Sequence, residues 1–217
     1  MLNDHELHQA VLTELEWDPS VNASHIGVTA KNGVVTLSGH VLHYSEKHAA
    51  EKAAGRVRGV KAVAEEIEVQ LPSETRRSDE DIAAAAINRL SWNATVPEDA
   101  VKIKVEKGFV TLTGTVPEHF QKISAELDVR GLHGVVGLAN QIGIKSTVVA
   151  DDVSDEIRRA LSRLWFFGPK TVNVTATGGK IKLTGTVHSL HDRKLAASIA
   201  WAAPGAIAVE NDLSVVL

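Results

Sequence analysis

The chain carries ten histidines and no cysteine, so any metal site would be built from imidazole and carboxylate. His5-Glu6-Leu7-His8 places two imidazoles at i and i+3 of a helix, and His40, His43 and His48 fall close together further on. Neither set reappears where the rest of the chain repeats itself, and no metal site or cofactor is assigned. His188 and His191 lie three apart at the start of a helix, which reads as a solvated position. The acid pairs Glu65-Glu66 and Asp151-Asp152 do not suggest acid/base catalysis. Neighbours on a strand point to opposite faces, and acids at a helix start favour its dipole. There is no Gly-rich phosphate loop, Gly-x-Ser-x-Gly elbow or His-Glu-x-x-His helix in the sequence. Without cysteine, disulfides, thiol catalysis and thiolate metal sites are excluded. Nothing supplies a nucleophile with an orienting base, so the expectation is a protein that is not an enzyme.

Of the 217 residues, 44% are apolar and 23% charged, enough for a sizeable core and too apolar for disorder. Lys and Arg number 23 against 27 Asp and Glu, a formal charge of -4. That balance argues against nucleic acid as a partner, since such binding rests on an excess of cations. No apolar run approaches the roughly 18 residues that span a bilayer, and the first residues lack a basic stretch followed by an apolar one. The expected compartment is cytoplasmic, or periplasmic if a leader has been removed.

The strongest signal is internal repetition. Gly39-His40-Val41, Gly114-Thr115-Val116 and Gly185-Thr186-Val187 each follow an apolar alternation, at spacings of 75 and 71 residues. Twenty residues after each of these glycines comes another, at Gly59, Gly134 and Gly205, opening a matching apolar tail. Such periods indicate tandem small domains, expected at 1–72, 73–147 and 148–217. Each domain of about 70 residues is near the lower limit for an independent core, so association of the three, or a homo-oligomer, is expected. The second linker carries two valines and the first is polar, which predicts a larger interface between repeats 2 and 3 than between repeats 1 and 2.

Within a repeat the order reads helix, strand, strand, helix, strand. Asn3 with Glu6 and Ser78 with Asp81 are N-cap signals, followed by Leu7, Val11, Leu15 and by Ile82, Ala86, Leu90 along one face. Trp17 and Trp92 close these helices. Period-two alternation at Ile26, Val28, Ala30 and at its equivalents marks the first strand. A hairpin turn follows at Gly33, Gly108 or Gly179. The second strand ends at Gly39, Gly114 or Gly185, a backbone position that admits no Cβ. A second helix is expected at 44–57, 119–132 and 190–203, with Ala50, Ala125 and Ala196 against the sheet. It should stop at Gly59, Gly134 and Gly205 as left-handed C-terminal caps. The fold class is α+β: three tandem α/β sandwich domains, each a three-stranded mixed sheet packed on two helices.

The strand Gly-Val-Val-Thr-Leu-Ser-Gly at 33–39, Gly-Phe-Val-Thr-Leu-Thr-Gly at 108–114 and Gly-Lys-Ile-Lys-Leu-Thr-Gly at 179–185, with its Gly-Val-x-x-Val tail, resembles the bacterial OsmY and nodulation (BON) domain. The resemblance covers nearly the whole chain as three domains. It implies a non-enzymatic module of osmotic-shock and stress proteins that binds phospholipid or attaches proteins to membranes, usually in the periplasm.

Repeat 3 departs from its siblings. Leu164-Trp165-Phe166-Phe167 is a dense aromatic stretch, and the second helix, ending Ala200-Trp201-Ala202-Ala203, is apolar nearly all round. Basic and acidic residues number 6 and 10 in repeat 1, 9 and 10 in repeat 2, and 8 and 7 in repeat 3. Repeat 3 is therefore the candidate for a phospholipid membrane surface or a membrane-associated protein, through Arg158, Arg159, Arg163, Trp165, Phe166, Phe167 and Trp201, with Lys170, Arg193 and Lys194 nearby. The alternative is a protein-protein scaffold or oligomeriser without lipid affinity, in which the same apolar surface meets protein.

Overall fold

A computed structural model describes residues 3–146, 153–164 and 171–216. Repeat 1 runs α1 (Asp4–Trp17), β1 (Ile26–Lys31), β2 (Val34–Val41), α2 (Tyr44–Arg56) and β3 (Ala62–Val69). Repeat 2 runs α3 (Asp79–Ser91), β4 (Val101–Glu106), β5 (Phe109–Val116), α4 (His119–Arg130), β6 (Gly137–Asn140) and β7 (Gly143–Ile144). Repeat 3 runs α5 (Ser154–Ser162), β8 (Val172–Thr177), β9 (Lys180–Val187), α6 (Leu190–Trp201) and β10 (Ala208–Val215). This is the α+β architecture expected, with one mixed sheet and two helices in each repeat.

The helix starts follow from their caps. Asn3 Oδ1 accepts from Glu6 N at 2.9 Å while Glu6 Oε2 accepts from Asn3 N at 2.9 Å. Ser78 and Asp81 make the same reciprocal pair. Two orphan amides are satisfied at each start, which fixes where the helix begins. Leu7, Val11 and Leu15 of α1, and Ile82, Ala86 and Leu90 of α3, are buried. Trp17 and Trp92 are 83% and 85% exposed at the far ends.

Each hairpin turn has both central residues at positive φ: Asn32 and Gly33 at 53° and 84°, Lys107 and Gly108 at 52° and 77°, Gly178 and Gly179 at 54° and 77°. That pair of signs matches the right-handed twist of the flanking strands. In two repeats the first helical residue clasps the turn. Asp4 Oδ1 accepts from Asn32 N at 2.8 Å, and the two oxygens of Asp79 accept from Lys107 N and Gly108 N at 2.8 Å each.

The first strand pairs antiparallel with the second, as in Ile26↔Gly39, Val101↔Gly114 and Val172↔Gly185. The third lies parallel to the second in repeats 2 and 3, with Phe109↔Gly137 and Leu213↔Gly185. At Gly39, Gly114 and Gly185, φ is 122°, 126° and 123°, and a Cβ would lie 2.0–2.1 Å from the carbonyl oxygens of His25, Ala100 and Thr171. In repeats 2 and 3 that carbonyl accepts from the residue after the glycine, Thr115 N at 3.3 Å and Thr186 N at 2.9 Å. Strand 2 therefore bends at a place where only a glycine fits.

Two details differ from the sequence reading. The second helices end at Arg56, Arg130 and Trp201, before Gly59, Gly134 and Gly205, so these glycines do not cap them. They sit instead at the third position of turns closed by Val60 N to Val57 O, Val135 N to Leu132 O and Ala206 N to Ala203 O, with φ of 88°, 91° and 76°. Pro204-Gly205 is the usual central pair of a type II turn. In repeat 2 the third strand breaks after Asn140, whose Oδ1 accepts from Ile142 N at 3.3 Å while Nδ2 donates to Lys122 O at 2.9 Å. Asn211 makes the same two hydrogen bonds in repeat 3, toward Leu213 N and Arg193 O, within a β10 that runs on unbroken. This tie between the third strand and the second helix is carried by one side chain among many polar ones, which periodicity does not single out.

The described residues form two compact units. One holds repeat 3 with most of repeat 1; the other holds repeat 2 with Val41–Lys47. In the first, Gly59 N donates to His188 O at 3.1 Å, Lys194 Nζ meets Glu51 Oε1 at 2.9 Å, and a Cβ on Gly55 would lie 3.6 Å from Leu190 Cβ. The linkers join repeats that are neighbours in sequence, whereas this contact joins repeats that are not. In the second unit Tyr44 packs against the repeat 2 core, and the rings of His43 and His133 meet edge-on at 5.9 Å.

Candidate functional site

The two helices of each repeat lie on the same side of its sheet, and what fills the gap between them differs. In repeat 1, Arg56 of α2 bridges to α1, with Nε 2.6 Å from Glu14 and NH2 2.9 Å from Asp18. Hydrogen bonds from Ser20, then from Arg56, hold the Asp18 carboxyl down at about 2, so the bridge is ionised at neutral pH. In repeat 2, Asn93 Nδ2 donates to Asp128 at 2.5 Å and to Ser124 Oγ at 3.2 Å, again across the gap.

Repeat 3 has Ala202 at the position of Arg56. Its gap is an apolar groove of about 720 Å³ whose walls include Ala160, Leu164, Leu195, Ile199, Ala202 and Pro204. Arg163 and Arg159 also line it, Arg159 paired with Glu156 Oε1 at 3.0 Å. The α5 sequence explains the arrangement: Ile157 and Leu161 are buried, which turns Arg159 and Arg163 toward the rim. An apolar cavity with the Arg163 guanidinium beside it can take an apolar group that carries an anionic end.

The residues singled out by sequence separate into four groups. Arg159 and Arg163 line the groove. Arg158 faces the sheet instead, donating to Val174 O at 3.1 Å and pairing with Asp155. Trp201 is half-buried against the repeat 3 core and is not among the groove's lining residues. Trp165, Phe166, Phe167 and Lys170 lie outside the described residues. The groove itself, made by α6 residues with α5, was not foreseen; the signal available was Ala202 where repeat 1 has Arg56.

Among the described residues no three His, Asp or Glu side chains come together as metal ligands. His5 and His8 are exposed on α1, His40 stacks on His25 at 4.7 Å, and His43 meets His133. Burial, reinforced by Lys122, pushes the His119 imidazole below its ordinary value, leaving it neutral at pH 7. No helix among the described residues is long and apolar enough to cross a membrane.

Three copies of one helix-and-sheet module, each glycine-bent at the same point of its second strand, define a tandem-module protein. The BON domain family model matches residues 3–70, 78–146 and 150–216, and the chain belongs to the BON domain family. Osmotically-inducible protein Y of Escherichia coli (strain K12) is 27% identical over 148 residues, 66% of this chain and 74% of that protein. Among solved structures, CdsD, a structural protein of the type III secretion system of Chlamydia trachomatis, matches at 18% identity with a TM-score of 0.26, covering 97% of this chain and 92% of that one. The C-terminal domain of the same protein matches at 18% identity and a TM-score of 0.26, covering 99% of this chain and 100% of that one.

Proposed function

We propose that this is a non-enzymatic, stress-associated binding protein of three modules, divided at 72/73 and 147/148, whose third module makes reversible contact with phospholipid membrane. The observation that carries the reading is the apolar groove of repeat 3, where repeats 1 and 2 hold polar bridges between their helices. An acyl chain suits the apolar groove, and Arg163, with Arg159 shared with Glu156, suits the phosphate of its headgroup. The family's association with phospholipid and the osmotic induction in the relative's name support the same assignment.

Co-sedimentation of the full chain with anionic and neutral vesicles tests it. Pelleting with anionic vesicles should fall several-fold between low and physiological salt. Ala202→Arg, which installs the residue repeat 1 carries, should fill the groove and abolish pelleting while leaving the circular dichroism spectrum unchanged. Arg163→Glu should weaken anionic binding alone. If wild type pellets with neither vesicle, the lipid reading fails and the groove is left to a protein segment.

A further inference from the structure

The second helix of repeat 2 presents an apolar stripe to solvent. On α4, Phe120, Ile123 and Leu127 are 58%, 38% and 53% exposed, while Ala125 and Val129 are the residues that face the core. Spacings of three and four residues put the stripe on a single narrow face. The siblings have nothing comparable there: repeat 1 carries Ser45, His48 and Lys52, and repeat 3 carries His191, Lys194 and Ser198. The fold therefore does not require apolar residues at these positions, and their presence in repeat 2 needs another cause.

We propose that α4 is a self-association surface, pairing antiparallel with α4 of a second copy of this chain. The three-four spacing is the seam by which one helix packs against another. A twofold axis passing between Ile123 and Ser124 sets Phe120 of one copy against Leu127 of the other, so the patch is self-complementary. Helix charge also favours this occupant over an anionic lipid surface. Lys122 and Arg130 balance Glu126 and Asp128, and Lys122 Nζ is engaged with Ile142 O at 2.8 Å. With one such stripe among the described residues, isologous pairing closes at the dimer. The three side chains expose roughly 300 Å² of surface against the ~800 Å² per partner of a stable complex, so the dimer is reversible.

Sedimentation velocity of the full chain from ~10 µM to ~1 mM should show a dimer fraction that grows with concentration. Phe120→Ser, Ile123→His and Leu127→Lys together copy repeat 1 and should remove it, with the thermal midpoint little changed. Because the chain has no cysteine, Ile123→Cys gives a clean second readout. It should form an intermolecular disulfide at least ten times faster than Ser198→Cys, the repeat 3 counterpart of Leu127, and it decides the matter even if the triple variant folds poorly. A wild type that stays monomeric at ~1 mM, a dimer that survives the triple substitution, or equal crosslinking of the two cysteines would each overturn the proposal. So would loss of vesicle binding in the triple variant with no change in mass, which would assign the stripe to the membrane.

Discussion

Gly114 and Lys107 occupy positive φ for opposite reasons, and substitution separates them. At Gly114 a Cβ would collide with Ala100 O at 2.0 Å, and that carbonyl belongs to the backbone immediately before β4, the neighbouring strand. Gly114→Ala must therefore shift backbone, and a loss of about 3 kcal/mol is expected in urea unfolding of repeat 2. Lys107 is a side-chain-bearing residue at φ 52°, where repeat 1 has Asn32 and repeat 3 has Gly178. Lys107→Asn keeps the N–H that Asp79 accepts and relieves the left-handed strain, for a gain of roughly 0.5–1 kcal/mol in the same measurement. Glycine positions were readable from sequence because only a missing Cβ repeats so regularly. The role of Gly59, Gly134 and Gly205 was less readable, since a left-handed residue serves a helix cap and a turn equally well, and the hydrogen bonds that distinguish them are not in the sequence.

Between elements, the Arg56 bridge of repeat 1 makes a pH-dependent fastening of α1 to α2. Asp18 sits near 2 in the folded chain against an ordinary 3.8, so the folded state holds its charged form more strongly. The stabilisation is complete above about pH 4 and is lost as pH falls from there through about 2. Screening at this partly solvated site limits it to on the order of 1 kcal/mol. Comparing stability against pH for wild type and Asp18→Asn, the wild-type curve should fall between pH 4 and 2 more steeply than the variant's; parallel curves would show that the bridge contributes nothing. Helices and strands themselves were legible, because caps in repeats 1 and 2 agree with the period-two alternation and hairpin glycines found in all three. The groove was not, since it arises from Ala202 lacking a side chain that its sibling has, and the significance of that depends on which residues face it across the gap.

At the scale of the molecule, sequence order is a poor guide to which repeats pack together. Repeats 1 and 3 share a compact unit although repeat 2 separates them in the chain. The contact turns on Gly55, a buried glycine in α2 at the position of Arg130 in α4 and Trp201 in α6. A glycine inside a helix is unfavourable on propensity alone, by about 1 kcal/mol against alanine. Here its small size lets Leu190 approach to 3.6 Å from where a Cβ would lie. Gly55→Ala should therefore be neutral or mildly stabilising, the methyl fitting in ordinary contact while the helix gains propensity. Gly55→Arg, the repeat 2 residue, should force Leu190 away and separate Lys194 from Glu51. Hydrogen exchange followed by mass spectrometry should then show faster exchange in 187–194 and in 55–60, with 110–116 of the repeat 2 core unchanged. Unaltered protection at 187–194 in the arginine variant would mean that repeats 1 and 3 do not depend on this contact in solution.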